Sequence, residues 1–280
     1  MGAGSQLICL DMQATTSTVP RVLDAMLSVY TGLYGNPHPC THTYGWETMK
    51  AIDVGHQQVA KLIGGHPEGV IFISEATKPN PFLIKCVAMI YKASKHIVTS
   101  QTEHMCVLDS CRYLQEEEYD FKHLPIKNNT LINGEHLEKV TCADIELASS
   151  LMVDNETGVI QRMVEIRKLC RQNGVFFCTQ GAQSVVNILL DFCKWNDDLM
   201  SNSGPQVYGP KDIRACYIRH KPKVRMDPLM SGSCRERGFR SGTHAHSLAF
   251  AFGEPYRIAQ EENEVSPPPC PLALPVGDIN

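Results

Sequence analysis

The sequence predicts an α/β protein with a mainly parallel sheet. Amphipathic stretches of helical period alternate with short apolar runs along most of the chain, and several of those runs are continuous, as strands covered on both faces are. Composition agrees: 280 residues with 43% hydrophobic and 20% charged side chains can bury a sizeable core and are neither disordered nor low-complexity.

Taken in order, Arg21 to Tyr30 places Val22, Leu23, Met26, Leu27 and Tyr30 on one helical face. A second helix is expected from Trp46 to Ile63, stopped by Gly64-Gly65, where glycine accepts a left-handed terminal conformation. Gly69 to Ser74 is β-branched and apolar, a buried strand. Phe82 to Ala93 follows as helix, His96 to Ser100 as strand and Cys106 to Glu118 as helix. Ile145 to Val153 is a strand leading to the loop at Asp154-Asn155-Glu156; Val159 to Asn173 is a helix, Val175 to Thr179 a buried strand and Ala215 to Arg219 an outer strand. Glu254 to Glu264 is polar helix, and the prolines from Pro267 to Pro271 end it. This divides the chain into an N-terminal segment (1–15), a large domain (16–253) and a helix with a proline-rich, disordered tail (254–280).

A net charge of −4, from 26 basic and 30 acidic residues, gives no reason to expect nucleic acid or an anionic membrane as partner. No apolar run reaches membrane-spanning length. Twelve cysteines fall singly, without metal-ligand spacing, and are read as reduced, mostly buried thiols. The opening residues carry no secretory or Arg-rich transit signal, which reads as cytoplasmic or nuclear. In such a sheet the ligand sits beyond the carboxyl ends of the strands. The loops to examine are therefore Ser74 to Pro81, Thr102 to Cys106, Asp154 to Gly158, Gln180 to Gln183 and Ser201 to Lys211.

Those loops, with segments before and after them, carry an ordered set of motifs: Gln13-Ala14-Thr15-Thr16, Tyr34-Gly35-Asn36-Pro37-His38, Thr102-Glu103-His104, Asn155-Glu156-Thr157-Gly158, Ala182-Gln183, Tyr208-Gly209-Pro210-Lys211 and Arg240-Ser241-Gly242-Thr243. From residue 8 to 253 the chain resembles the cysteine desulfurases, class V aminotransferase-like enzymes, in their eukaryotic mitochondrial form. The resemblance implies the large domain of a fold-type I pyridoxal phosphate transferase, mitochondrial residence, and sulfur transfer from L-cysteine toward an iron–sulfur scaffold. It also implies a homodimer, or a heterodimer with an intact desulfurase. Ala76, Thr77 and Ser203 would cradle the cofactor phosphate, with Thr243 reaching in from the partner subunit. His104 would stack on the ring and move protons, and Asn155 and Gln183 would face the ring substituents.

The departures fall on the chemistry. Pro205-Gln206 stands where the family has His-Lys, and a carboxamide cannot form the Schiff base that lysine forms. Lys211 matches a second family lysine and is expected to be a surface group. Gln180 replaces the aspartate that keeps the pyridine nitrogen protonated, and Glu75 replaces a glycine of the phosphate loop, setting a carboxylate beside a phosphate. The resemblance further implies that the family's small C-terminal domain, which carries the sulfur-accepting cysteine, is missing here; Cys40 and Cys234 fall on loops that the family places near the site and are read as incidental. Three readings stay open: a working desulfurase, a silent binding or dimerisation partner, and a decayed duplicate.

Overall fold

The computed structural model describes residues 10–38, 41–74, 79–91, 95–141, 145–186, 188, 195, 197–220, 224–228 and 236–265. Glu75, Ala76, Thr77, Cys40, Cys234 and the proline-rich tail lie outside them. A seven-stranded sheet forms the middle layer, in the order β1-β7-β6-β5-β4-β2-β3, with β1 Val70–Ser74, β2 His96–Ser100, β3 Asp120–Leu124, β4 Leu147–Leu151, β5 Phe176–Gln180, β6 Leu199–Ser203 and β7 Ile213–Ile218. All pairings from β6 to β3 are parallel; β7 runs antiparallel to both β6 and β1.

Period-two alternation in β1 explains the layering. Val70 and Phe72 face a core shared with α2 (Thr43–Ile63), α5 (Gly134–Val140), α6 (Met163–Gln172) and α7 (His246–Val265). Ile71 and Ile73 face α3 (Pro79–Ile90) and α4 (Met105–Glu116) on the other side. Helix α1 (Pro20–Gly32) lies outside, its Val22 packed on Ala251 and Ile258 of α7. Helix α2 ends where expected, at Gly64 with φ 64°. Its Gly55 meets α7 backbone to backbone: a Cβ there would stand 2.3 Å from the Ala249 carbonyl oxygen.

Several elements differ from the sequence reading. The strand at Ile213–Ile218 is not outer: it lies between β1 and β6, while β1 and β3 form the edges. Its antiparallel course allows the position, because Tyr217 and Cys216 present one side chain to each core. Strands β3 and β6 and helix α5 were not foreseen. Helix α6 begins at Met163 rather than Val159, since Ile160 is engaged in a bridge to Val153. Helix α7 begins at His246 and runs unbroken across residue 253, where a boundary was expected, with Phe252, Glu254 and Tyr256 all buried. The apolar face that α2 and α1 share holds it there.

Candidate functional site

Residues from all five of the strand-end loops line one cleft of about 490 Å³. Pro79 and Asn80 come from the start of α3, and His104 and Cys106 from the turn into α4. Asn155 and Glu156 follow β4; Gln180, Ala182 and Gln183 follow β5; Ser201, Asn202, Ser203 and Gln206 come from β6 and the turn after it. The parallel strands end at this edge, so their loops converge, and Arg214 joins them because antiparallel β7 enters the sheet where its neighbours leave.

Each wall is fixed locally. Asp154 accepts the backbone N–H groups of Glu156 (2.9 Å) and Thr157 (2.8 Å), an Asx turn that holds Asn155 at the rim. His104 caps α4, its Nδ1 accepting the Cys106 N–H at 3.2 Å and lying 3.1 Å from the Cys106 thiol. With Nδ1 an acceptor, the neutral ring carries its hydrogen on Nε2. Asn80 donates to Gln180 Oε1 at 2.9 Å, so what Gln180 retains for the cleft is its NH2, a donor.

The roof was not anticipated. Residues 11–19 are sewn to the loop after β6: Thr16 N–H and hydroxyl both donate to the Pro205 carbonyl (2.8 and 2.7 Å), Tyr208 N–H donates to the Thr16 hydroxyl (3.0 Å) and Val19 N–H to the Tyr208 carbonyl (3.2 Å). This brings Asp11, Gln13 and Ala14 over the cleft. Two amides tie the roof down: Gln183 Nε2 donates to the Gln13 carbonyl at 3.1 Å and Gln206 Nε2 to the Ala14 carbonyl at 3.2 Å.

Sequence reasoning also missed Glu103, a buried carboxylic acid beneath the cleft wall. It accepts the Ser149 hydroxyl at 2.8 Å and the His104 N–H at 3.2 Å, yet desolvation outweighs these donors and pushes it up to about 7. Its place inside the Thr102-Glu103-His104 motif was the available signal. Thr243 is exposed and does not line this cleft; Lys211 is exposed as expected and also lies outside it. Among the described residues lining the cleft there is no lysine. The six described cysteines are all buried, as small apolar residues are.

The cleft can hold a small ligand. Buried polar atoms beside it have no hydrogen-bond partner: the Ser203 hydroxyl, Gln206 Oε1 and both side-chain polar atoms of Asn202. Such orphans fit a bound polar molecule that satisfies them. The Ser203 hydroxyl and the Asn202 NH2 can donate to a phosphate or a ring substituent, while Gln206 Oε1 and Asn202 Oδ1 can only accept; no residue in the set fits covalent capture of an aldehyde.

Fold and site thus define a class, the α/β proteins whose ligand cleft lies beyond the strand ends of a mainly parallel seven-stranded sheet. Residues 8–257 match the aminotransferase class-V family, and the chain belongs to it. It is 54% identical over 267 residues to the mitochondrial cysteine desulfurase of Arthroderma benhamiae, covering 94% of this chain and 53% of that protein. To the mitochondrial cysteine desulfurase of Saccharomyces cerevisiae it is 47% identical over 262 residues, covering 93% and 53%. The chain spans about half the length of the curated relatives it matches. Among solved structures it resembles a NifS-like protein (TM-score 0.86, 30% identity, 91% of this chain and 70% of that one) and SspA in complex with cysteine (TM-score 0.83, 30% identity, 88% and 71%).

Proposed function

We propose that this chain is a cysteine-desulfurase-family protein that binds pyridoxal phosphate without a covalent link and does not by itself turn over L-cysteine. The observation that carries this reading is Gln206, whose amide fastens the roof to Ala14 and whose Oε1 is buried without a partner. A carboxamide neither condenses with an aldehyde nor takes a proton from carbon near neutral pH.

Ser203 would hold the phosphate, with Ala76 and Thr77 completing the cradle and Asn155 and Gln183 flanking the ring. When bound, pyridoxal phosphate supplies an aldehyde on an electron-withdrawing ring. With its Oε1 engaged by Asn80, the NH2 of Gln180 would be what it offers to a ring nitrogen, and a neutral amide would not keep that nitrogen protonated. His104, with Nδ1 accepting the Cys106 N–H, would offer a hydrogen bond from Nε2–H and no lone pair at that nitrogen. The residues at these positions therefore bind and orient: neither the Gln206 amide nor the His104 Nε2–H is a base for the α-carbon of an amino acid. The cysteine-bound structural relative supports L-cysteine as the amino acid such a cleft admits.

The second half of the proposal is association with another subunit, a second copy or an intact desulfurase serving an iron–sulfur scaffold. Helix α1, Tyr34 just after it and the start of α2 expose Leu23, Leu27, Tyr30, Tyr34, Tyr44 and Trp46, apolar surface of the kind that subunits cover.

The test is spectroscopic. Purified chain should quench or shift pyridoxal phosphate absorbance on titration, yet after borohydride no residue should carry a pyridoxyl group by peptide mass spectrometry. Gln206→Lys should acquire that mark at position 206. A pyridoxyl adduct on the unmodified chain, together with sulfide release from L-cysteine, would overturn the proposal.

A further inference from the structure

At the end of the sheet opposite the cleft, β1 begins and β7 ends side by side, with Val70 paired to Tyr217. This register sets the turn before β1 against the residues just after β7. His66, Glu68 and His220 meet there, their ligand-capable atoms all within 4.8 Å of one another. The two imidazoles stack with centroids 4.7 Å apart and planes 13° apart, and His220 Nε2 lies 3.2 Å from Glu68 Oε2.

The backbone beneath the three is held in place. His66 N–H donates to the Tyr217 hydroxyl at 3.3 Å, and the Tyr217 ring packs so closely on the turn that a Cβ at Gly65 or Gly69 would stand 2.6 or 2.4 Å from it. Pro67 opens the short turn, and Glu68 N–H donates to His66 Nδ1 at 3.2 Å. The Arg237 guanidinium feels the Glu68 charge and donates to the Val70 carbonyl at 2.5 Å.

We propose that His66, Glu68 and His220 bind one divalent cation of the zinc class. Two imidazole nitrogens and a carboxylate oxygen are the donor set that zinc takes with water in its remaining position, and a calcium or magnesium ion would call for more oxygen ligands. Three ligands on two adjacent strand ends, brought together by register and held by Tyr217, need little reorganisation beyond side-chain rotation. Coordination through His66 costs the hydrogen bond from Glu68 N–H, since either ring nitrogen that takes the metal changes what Nδ1 can accept. The cation ties β1 to β7 at the end remote from the cleft, so it stabilises the fold and plays no part in cofactor chemistry.

The experiment uses the full chain under reducing conditions, with Zn2+ competed against a chromogenic chelator and Co2+ as the optical probe. One equivalent should bind, and His66→Asn and His220→Asn should each weaken it by at least about tenfold. The Co2+ spectrum should lack thiolate charge-transfer bands, which separates this site from the cysteines. On the unmodified chain, Zn2+ should protect His66 and His220 from diethyl pyrocarbonate as read by peptide mass spectrometry. Undiminished binding in both variants, thiolate bands, or modification of both histidines at saturating Zn2+ would overturn the proposal.

Discussion

Replacing Glu103 by glutamine should stabilise the protein above neutral pH and leave it unchanged in mild acid. The carboxyl is buried between β4 and the turn into α4, and its pKa is raised from 4.5 to about 7 by desolvation. A folded-state value above the unfolded one means that the native protein binds more protons than the unfolded chain between those two pH values. Stability therefore falls as pH rises through that window; the penalty is absent below about 4.5 and complete above about 7. A displacement of that size corresponds to roughly 3 kcal/mol. Glutamine keeps the shape, and Ser149 can turn its hydroxyl to accept from the new NH2 while the carbonyl accepts the His104 N–H, so both local bonds survive. Urea unfolding of the two proteins from about pH 4 to pH 8 should give stabilities that coincide at the acid end and diverge by roughly 3 kcal/mol at the other. The divergence should persist in added salt, because the group is shielded from counterions. Parallel curves, or a variant that loses ground as pH rises, would refute the assignment of Glu103 as a desolvated acid.

Asp198 accepts the Phe177 N–H at 2.9 Å and pairs with Arg219 at 2.6 Å, so Asp198→Ala leaves a largely buried guanidinium and a buried N–H without it and should cost about 3–5 kcal/mol in chemical denaturation. Gly55→Val forces α2 away from the Ala249 carbonyl and should cost about 3 kcal/mol by the same measurement, whereas alteration of Gly134, which has nothing within 4 Å, should not. The double change Leu27→Asp and Tyr30→Asp, at residues 55% and 69% exposed, should reduce self-association in analytical ultracentrifugation without changing the far-ultraviolet circular dichroism spectrum.

Which parts of this molecule could be read from sequence follows from what each element buries. β1, β2 and β5 sit between two helical layers, and their apolar runs announced them. β3 is an edge strand whose Asp120, Lys122 and His123 are exposed, so it offered no run to find. β6 is buried throughout, but its Ser201, Asn202 and Ser203 face the cleft, and their polarity made a central strand read as a loop. The site loops were legible because chain direction alone sends them to one edge; the roof was not, because it is attached mainly through the backbone carbonyls of Pro205 and Tyr208, which any sequence supplies.

Gln206 shows where the two kinds of reading divide. Its identity is enough to remove covalent capture of an aldehyde, since that follows from functional-group chemistry and needs no coordinates. Its contact to Ala14 adds a consequence that residue type does not contain: the side chain holds the N-terminal segment over the cleft. Restoring an amine at this position therefore exchanges one attachment for another. An ammonium group can still donate to the Ala14 carbonyl, but it leaves that carbonyl when it condenses with an aldehyde, so Gln206→Lys should bind the cofactor covalently and loosen the roof in the same step. Hydrogen exchange at residues 11–19 should accordingly rise on cofactor addition in that variant and fall in the unmodified chain, where the ligand satisfies polar atoms under an intact roof.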